Sequence, residues 1–289
     1  MYNIGILQLT QNLDDAVHGF KTGLKQLDIT AQFHYLNADG NIDLLPKLAT
    51  ELAEKKVDLI FACSTPATKA AINLDATIPV VFTPVFDPVG SGLVDSLSLP
   101  NGKATGVSGM VMADAKIAFI GRLLPKAHTI GILYHTADSN SVVEVDNIHK
   151  QIGSLYDIVD IPVKQAEDLS NLPDLLPTTI NALFLPIGQI VEENFPTIAY
   201  YTDTINLPII ASHPPNVSAG AIGALVANHY RLGVECAKKS AEILGGKSPG
   251  TIPVDIVKAP EIVLNLFAAQ NLGLDLPADL IAEASEVFE

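Results

Sequence analysis

The sequence of 289 residues predicts an α/β protein made of two doubly wound parallel-sheet lobes joined by a three-segment hinge. Short apolar runs of strand length alternate with amphipathic helical stretches almost from end to end, the pattern of βαβ units. The alternation completes one series, passes through a short extended segment and begins again. The last third then adds single elements that return to the lobes already formed.

Ile4–Leu9 reads as the first strand, and Asn12 as the cap of a helix with Leu13, Ala16, Val17, Phe20, Leu24 and Leu27 at helical spacing. Ala31–Leu36 is the second strand, followed by a helix over Ile42–Lys55. Val57–Ala62 is the third, ending at Cys63-Ser64-Thr65-Pro66, where Pro66 suits a first helical turn and leaves Ser64 or Thr65 as cap. The fourth, Ile78–Phe82, is expected to stop where Thr83, Pro84, Asp87, Pro88, Gly90 and Gly92 form a polar turn. Ala104–Ser108 is short and extended.

The second series starts with a helix over Ala113–Leu124. Strand Thr129–Tyr134, helix Val142–Ile152, strand Tyr156–Ile161, helix Ala166–Leu176, strand Ala182–Leu185, helix Val191–Thr204 and strand Pro208–Ser212 follow. Right-handed crossovers make each series doubly wound. Ala221–Ala227 is a further strand, Tyr230–Leu244 a helix ending at Gly245-Gly246, Ile252–Val257 and Ile262–Leu266 are extended, and Asn271–Phe288 is expected to supply short helices. The expected division is 1–108 with 228–258 as the N-terminal lobe and 109–227 with 259–289 as the C-terminal lobe, a ligand cleft between them. Hinge rotation is expected near Ser108–Met110, Ala227–Asn228 and Val257–Pro260.

Formal net charge is −15, from 17 basic against 32 acidic residues, which disfavours nucleic acid and anionic lipid as partners. No apolar run approaches the roughly 18 residues of a membrane span. The two cysteines frame no disulfide scaffold or zinc site, and the seven histidines lack metal-ligand spacing. Nucleotide-binding glycine loops, a metalloprotease helix and a nucleophile elbow are all missing. No cofactor, metal or catalytic residue is therefore expected.

Small-molecule sites in open α/β sheets lie beyond the carboxyl ends of the strands. Reading those ends collects Gln8, Ser64, Thr65, Thr83, Asp87 and Ser108 from the first series, and Asn140, Ser141, Gln189 and His213 from the second. Several precede helices, whose first amides are unpaired and partially positive, while Asp87 supplies the opposite sign. Such a set suits a zwitterion; plain helix capping and turn formation also account for its single members. Phe82, Phe86, Tyr134 and Phe184 either stack on a ring or fill the sheet cores.

Two other readings stay open. Cys63, in Ala62-Cys63-Ser64-Thr65, is similar to the first cysteine motif of cofactor-independent aspartate/glutamate racemases, which need a second thiol facing the first. Cys236 lies instead inside a predicted helix. A transcription regulator's sensor lobes share the architecture but are expected to follow a helix-turn-helix segment, and here the first strand begins at residue 2.

Several blocks together resemble the ABC transporter substrate-binding proteins of the tryptophan/tyrosine type. They are Asp58–Ala62, Ser64-Thr65-Pro66-Ala67, Ile78–Val94 with its Asp-Pro-Val-Gly-Ser-Gly-Leu-Val, Thr105-Gly106-Val107-Ser108, Leu123-Leu124-Pro125, Ile130–Tyr134, Ser139-Asn140-Ser141, Pro208–Ser212 and Asn271-Leu272-Gly273-Leu274. The resemblance implies a type I periplasmic-binding-protein-like fold, closing on a small ligand, commonly an aromatic amino acid, for delivery to an ABC permease. A monomer is expected, extracytoplasmic as a periplasmic protein or membrane-anchored lipoprotein, with the export signal absent from this chain. The motif matches Ser64, Thr65, Thr83, Asp87, Ser108, Asn140 and Ser141 would line the pocket. Gln8, Tyr134, Gln189 and His213 complete the expected ligand-binding set. Relatives are similar to Thr-Asp-Asn where this chain has Ile187-Gly188-Gln189, and carry an acid where it has His213. Both departures remove negative charge from the second lobe.

Overall fold

The computed structural model describes residues 1–153 and 155–289. In chain order the elements are β1 (Tyr2–Gln8), α1 (Asp14–Gln26), β2 (Ala31–Asn37), α2 (Leu45–Glu54), β3 (Leu59–Cys63), α3 (Thr65–Ile72), β4 (Val80–Val85) and β5 (Ala104–Ser108). They continue with α4 (Ala113–Leu123), β6 (Thr129–His135), α5 (Ser139–Ile152), β7 (Asp157–Val163), α6 (Leu172–Leu175), β8 (Ala182–Leu185), α7 (Gln189–Glu193), α8 (Phe195–Thr204), β9 (Ile209–Ala211) and α9 (Pro214–Ser218). The remainder is β10 (Gly223–Val226), α10 (His229–Leu244), β11 (Glu261–Asn265), α11 (Leu266–Asn271), α12 (Ala278–Glu283) and β12 (Glu286–Phe288). Residues 1–110 with 227–259 form one compact unit, and 111–226 with 260–289 the other.

The first unit is a five-stranded parallel sheet in the order β2-β1-β3-β4-β5. Strand residues alternate between two helix-covered faces, which is why both sets are apolar. Ile4, Ile6, Leu59, Phe61 and Cys63 pack with Phe20 and Leu24 of α1 and with Leu232 and Cys236 of α10. Leu7, Ile60, Ala62 and Phe82 pack on the opposite side with Ala49, Leu52 and Ala67. The rings of Phe20 and Phe61 stack with centroids 4.0 Å apart. Burying each contributes about 1.5–3 kcal/mol. Helices α1 and α10 approach backbone to backbone: a Cβ at Gly19 would lie 1.9 Å from the Tyr230 carbonyl oxygen, and one at Gly233 2.0 Å from that of Ala16.

The second unit is a seven-stranded sheet in the order β12-β11-β10-β9-β8-β6-β7. β6 to β10 are parallel, as expected, but β11 runs antiparallel to β10, and β12 pairs parallel with β11. The chain end is therefore a strand where short helices alone were expected, and Phe288 packs against the apolar core of Leu133, Leu183, Leu185, Phe195 and Val263.

Other local departures have identifiable causes. β4 does not stop at Phe82 but continues through Thr83 and Pro84 to Val85, with its register against β5 irregular between Phe82 and Val85, where a proline is tolerated. A 3-10 turn at Gln11–Leu13 precedes α1, so Asn12 does not cap it. The expected helix over Ala166–Leu176 is a 3-10 stretch, Ala166–Asn171, leading into α6 with Pro173 in its first turn. The helix expected over Val191–Thr204 splits into α7 and α8, the second opening with Pro196 at a position that needs no amide donor. Ile252–Val257 contributes no regular strand, only a bridge between Val107 and Asp255. Pro253 lacks an amide donor, and the carbonyls of Ile252 and Pro253 accept instead from the Thr105 hydroxyl and the Lys239 ammonium.

Candidate ligand-binding site

At the carboxyl edge of the first sheet, Gln8 ends β1 and is fully buried, 0% exposed. Neither its Oε1 nor its Nε2 has a hydrogen-bond partner among the described residues. A buried primary amide left unpaired costs about 1–3 kcal/mol, so natural cores rarely keep one without use for it. Ser64 follows β3 with φ of 96°, a left-handed conformation strained for a residue with a side chain, and its Oγ accepts from Ala67 N–H at 3.3 Å. Thr65 is the first residue of α3.

Thr83, expected in a turn, lies inside β4 with its hydroxyl donating to the Val107 carbonyl at 2.9 Å. Ser108 ends β5, its hydroxyl donating to the Phe86 carbonyl at 2.8 Å and accepting from Met110 N–H at 3.1 Å. Asp87 is half-buried; its Oδ1 accepts from Gly90 N–H at 2.8 Å and its carbonyl from Ser91 N–H at 3.0 Å. A Cβ on Gly90 would lie 2.0 Å from Asp87 Oδ2, so a side chain there would displace the Asp87 carboxylate from its present rotamer. Phe82 and Phe86 are buried, the former in the core beneath α2 and α3.

On the second unit the expected residues sit at the carboxyl ends of β6, β8 and β9. Asn140 and Ser141 are not in a loop but in the first turn of α5, whose cap is Asp138. The Asp138 carboxylate accepts from Asn140 N–H at 2.9 Å and from Gln189 N–H at 3.4 Å, which uses amides expected to be open to an anion. Ser141 is buried, its hydroxyl accepting from His135 N–H at 3.2 Å. The Gln189 side chain donates to Glu193 at 2.8 Å. Tyr134, near the end of β6, is half-buried; burial raises its phenol pKa, and Asp160 and Asp146 add to the shift. Phe184 is a core residue with the Lys116 ammonium 5.9 Å from its ring centroid.

Sequence reading missed what holds this edge together. Lys116 of α4, 4% exposed, pairs with Glu144 of α5, 2% exposed. Lys116 also donates to Ser212 Oγ at 2.9 Å, and the Ser212 hydroxyl donates to Glu144 Oε1 at 2.6 Å. Glu144 Oε2 accepts from Ile187 N–H at 2.8 Å, so one buried ion pair ties two helices to the segments after β8 and β9. Lys116 and Glu144 occupy apolar-periodic positions in their helices, which conceals them. Glu192 was missed as well. Its Oε1 accepts from Gly188 N–H at 3.1 Å, and its Oε2 lies 3.8 Å from Nδ1 of His213. The negative charge that positions 187–189 and 213 do not carry is thus present a helical turn further on. The Nδ1 atoms of His213 and His135 are buried without a hydrogen-bond partner among the described residues.

The thiols are placed for packing. Cys63 and Cys236 are both buried in the single core under α1 and α10, and Cys236 Sγ donates to the Phe82 carbonyl at 3.4 Å. Burial raises both thiol pKa values well above the ordinary range. Among the described residues no group of three or more His, Cys, Asp and Glu side chains is placed to hold a metal, and no helix is long and apolar enough to cross a membrane.

Two α/β units with polar side chains gathered at the carboxyl edges of their sheets define a binding protein of the type I periplasmic-binding fold. Residues 3–288 match the family model described as "ABC transporter substrate binding protein", and the chain belongs to that family, whose members bind solutes and do not catalyse reactions. It is 32% identical over 288 residues to a tyrosine-binding protein of Clostridioides difficile (strain R20291), covering 96% of this chain and 83% of that one. Among solved structures it is similar to an ABC domain from Streptococcus pneumonia in complex with L-Trp (TM-score 0.85, 26% identity, 99% of each chain). It is also similar to the ligand-free, open structure of a substrate binding protein with adhesive properties from Clostridium difficile (TM-score 0.88, 28% identity, 100% of this chain and 99% of that one).

Proposed function

We propose that this chain captures a small zwitterionic ligand, an aromatic amino acid or a related compound, outside the cytoplasm and delivers it to an ABC permease. The observation that carries the reading is Gln8: a fully buried amide with both polar atoms unpaired, at the strand edge where ligands of such folds are held. Gln8, Ser64, Thr65, Thr83, Asp87 and Ser108 serve the ligand from the first unit, and Tyr134, Asn140, Ser141, Gln189 and His213 from the second. The strained backbone of Ser64 supports a clamp role there. Capture proceeds by hinge rotation at the three places where the chain passes between the units, near residues 108–110, 227–228 and 257–260. The binding of tyrosine and tryptophan by proteins similar to this one supports the ligand class.

Native mass spectrometry of the purified full chain tests this. A retained adduct of amino-acid mass, exchanged by added L-tyrosine or L-tryptophan, is the expected result. A bare protein mass that neither compound changes at millimolar concentration would reject the ligand class.

A further inference from the structure

Three consecutive backbone N–H groups after β8 each donate to a different carboxylate: Ile187 to Glu144 Oε2 at 2.8 Å, Gly188 to Glu192 Oε1 at 3.1 Å and Gln189 to Asp138 Oδ2 at 3.4 Å. Of these three acceptors Glu144 alone is buried. Its other oxygen, Oε1, accepts from the hydroxyl of Ser212 at 2.6 Å, the residue that follows β9 and precedes His213. Lys116 of α4 neutralises the same carboxylate and donates to Ser212 Oγ at 2.9 Å. Glu144 also lies three and four residues after Ser141 and Asn140, on the same face of α5. Segment 187–189 packs against that first turn, since a Cβ at Gly188 would lie 3.2 Å from Ser141 Oγ. The three stretches that carry Asn140 and Ser141, Gln189, and His213 therefore converge on one carboxylate.

A buried ion pair is a poor means of stabilising a core, because apolar side chains of similar volume fill the space without desolvating two charges. What the pair supplies here is direction: hydrogen bonds to fixed atoms of two separate segments, in a buried network where each bond strengthens the others. We infer that Glu144, held by Lys116, is the positioning residue of the second unit's ligand-binding edge. At 2% exposed it acts through the segments it holds and does not itself touch a ligand. It presets residues 187–189 and 212–213 in the geometry that receives the ligand, so that neither segment has to be ordered at binding. Released from Glu144, both would be ordered only as the ligand arrives, and that cost is subtracted from affinity. This rests on the proposed reading of the chain as an amino-acid-binding protein.

The test compares two double variants of the full chain, both without the buried charges, by calorimetric titration with L-tyrosine and L-tryptophan and by urea unfolding. Lys116→Met with Glu144→Gln keeps an acceptor for Ile187 N–H and a partner for Ser212. Lys116→Met with Glu144→Met keeps neither. Affinity for the better-bound amino acid is expected to fall at least tenfold in the Glu144→Met variant and to return to within threefold of wild type in the Glu144→Gln variant. A role in stability alone does not predict that rescue between two variants that both unfold cooperatively. Affinity within twofold of wild type in the Glu144→Met variant, or equal weakening in both, would overturn the inference while leaving the proposed function standing. Where the Glu144→Met variant does not fold, Ser212→Ala decides, because it removes one attachment and keeps the ion pair: at least threefold weaker binding supports the inference, and unchanged binding overturns it. A wild-type chain that binds neither amino acid would remove both the inference and the reading it rests on.

Discussion

Replacing Lys116 with methionine isolates the contribution of the buried ion pair beneath the second unit's rim. Methionine keeps most of the side-chain volume but leaves the Glu144 carboxylate, 2% exposed, without its counter-ion. Removing one member of a buried pair costs about 3–5 kcal/mol, because the remaining charge stays desolvated. Two hydrogen bonds persist here, from Ser212 at 2.6 Å and Ile187 at 2.8 Å, which places the expectation near the lower end, about 3 kcal/mol. For a unit of this size that lowers the melting temperature by about 6–12 °C. Urea unfolding followed by circular dichroism measures it directly. Lys116→Met with Glu144→Gln removes both charges; the amide oxygen accepts from Ile187 N–H and the amide NH2 donates to Ser212 Oγ, which Lys116 no longer occupies, so the double variant is expected to lie within about 1 kcal/mol of wild type. A loss below about 1 kcal/mol for the single variant, or a double variant no better than the single, would refute the structural role assigned to the pair.

Gln8→Leu removes two unpaired buried polar atoms; stability without ligand is expected to rise by about 1 kcal/mol while affinity falls at least tenfold, and lower stability with unchanged affinity would make Gln8 a structural residue. Gly233→Ala puts a methyl group 2.0 Å from the Ala16 carbonyl oxygen and is expected to cost about 1–3 kcal/mol in chemical denaturation; a neutral result would show that α1 and α10 separate easily. Burial raises both thiol pKa values, so Cys63 and Cys236 remain protonated at pH 8 in the native state. Ellman's reagent is expected to label neither within minutes in buffer and both in guanidinium chloride. Rapid native labelling of either one would reopen a chemical role for it.

The parallel βαβ alternation was legible because strands covered on both faces must be apolar throughout, and most strands and helices fall where periodicity put them. What periodicity conveys poorly is direction and continuation. Ile262–Leu266 reads as extended from composition, but nothing local tells whether it runs parallel or antiparallel to β10. Pro84 reads as a terminator until the irregular register that accommodates it is seen. At the site, strand ends led to Gln8 and Ser64, whose orphan amide and strained backbone are tertiary facts. Thr83 and Ser108 turned out to donate their hydroxyls to backbone carbonyls, a use their sequence context does not reveal. Lys116, Glu144 and Glu192 escaped notice because each lies inside a helix, where charged residues ordinarily face solvent. Their placement is set by partners 28 and 96 residues away for Lys116, and for Glu192 by the Gly188 amide and the histidine that precedes α9.

Binding itself is the most direct measurement: isothermal titration of the ligand-stripped protein with L-tyrosine and L-tryptophan. The account predicts saturable one-to-one binding of at least one of them, with a negative heat-capacity change as surface is buried, and loss of that binding in Gln8→Leu. Heats indistinguishable from dilution for both, in protein that unfolds cooperatively and so is demonstrably native, would contradict it.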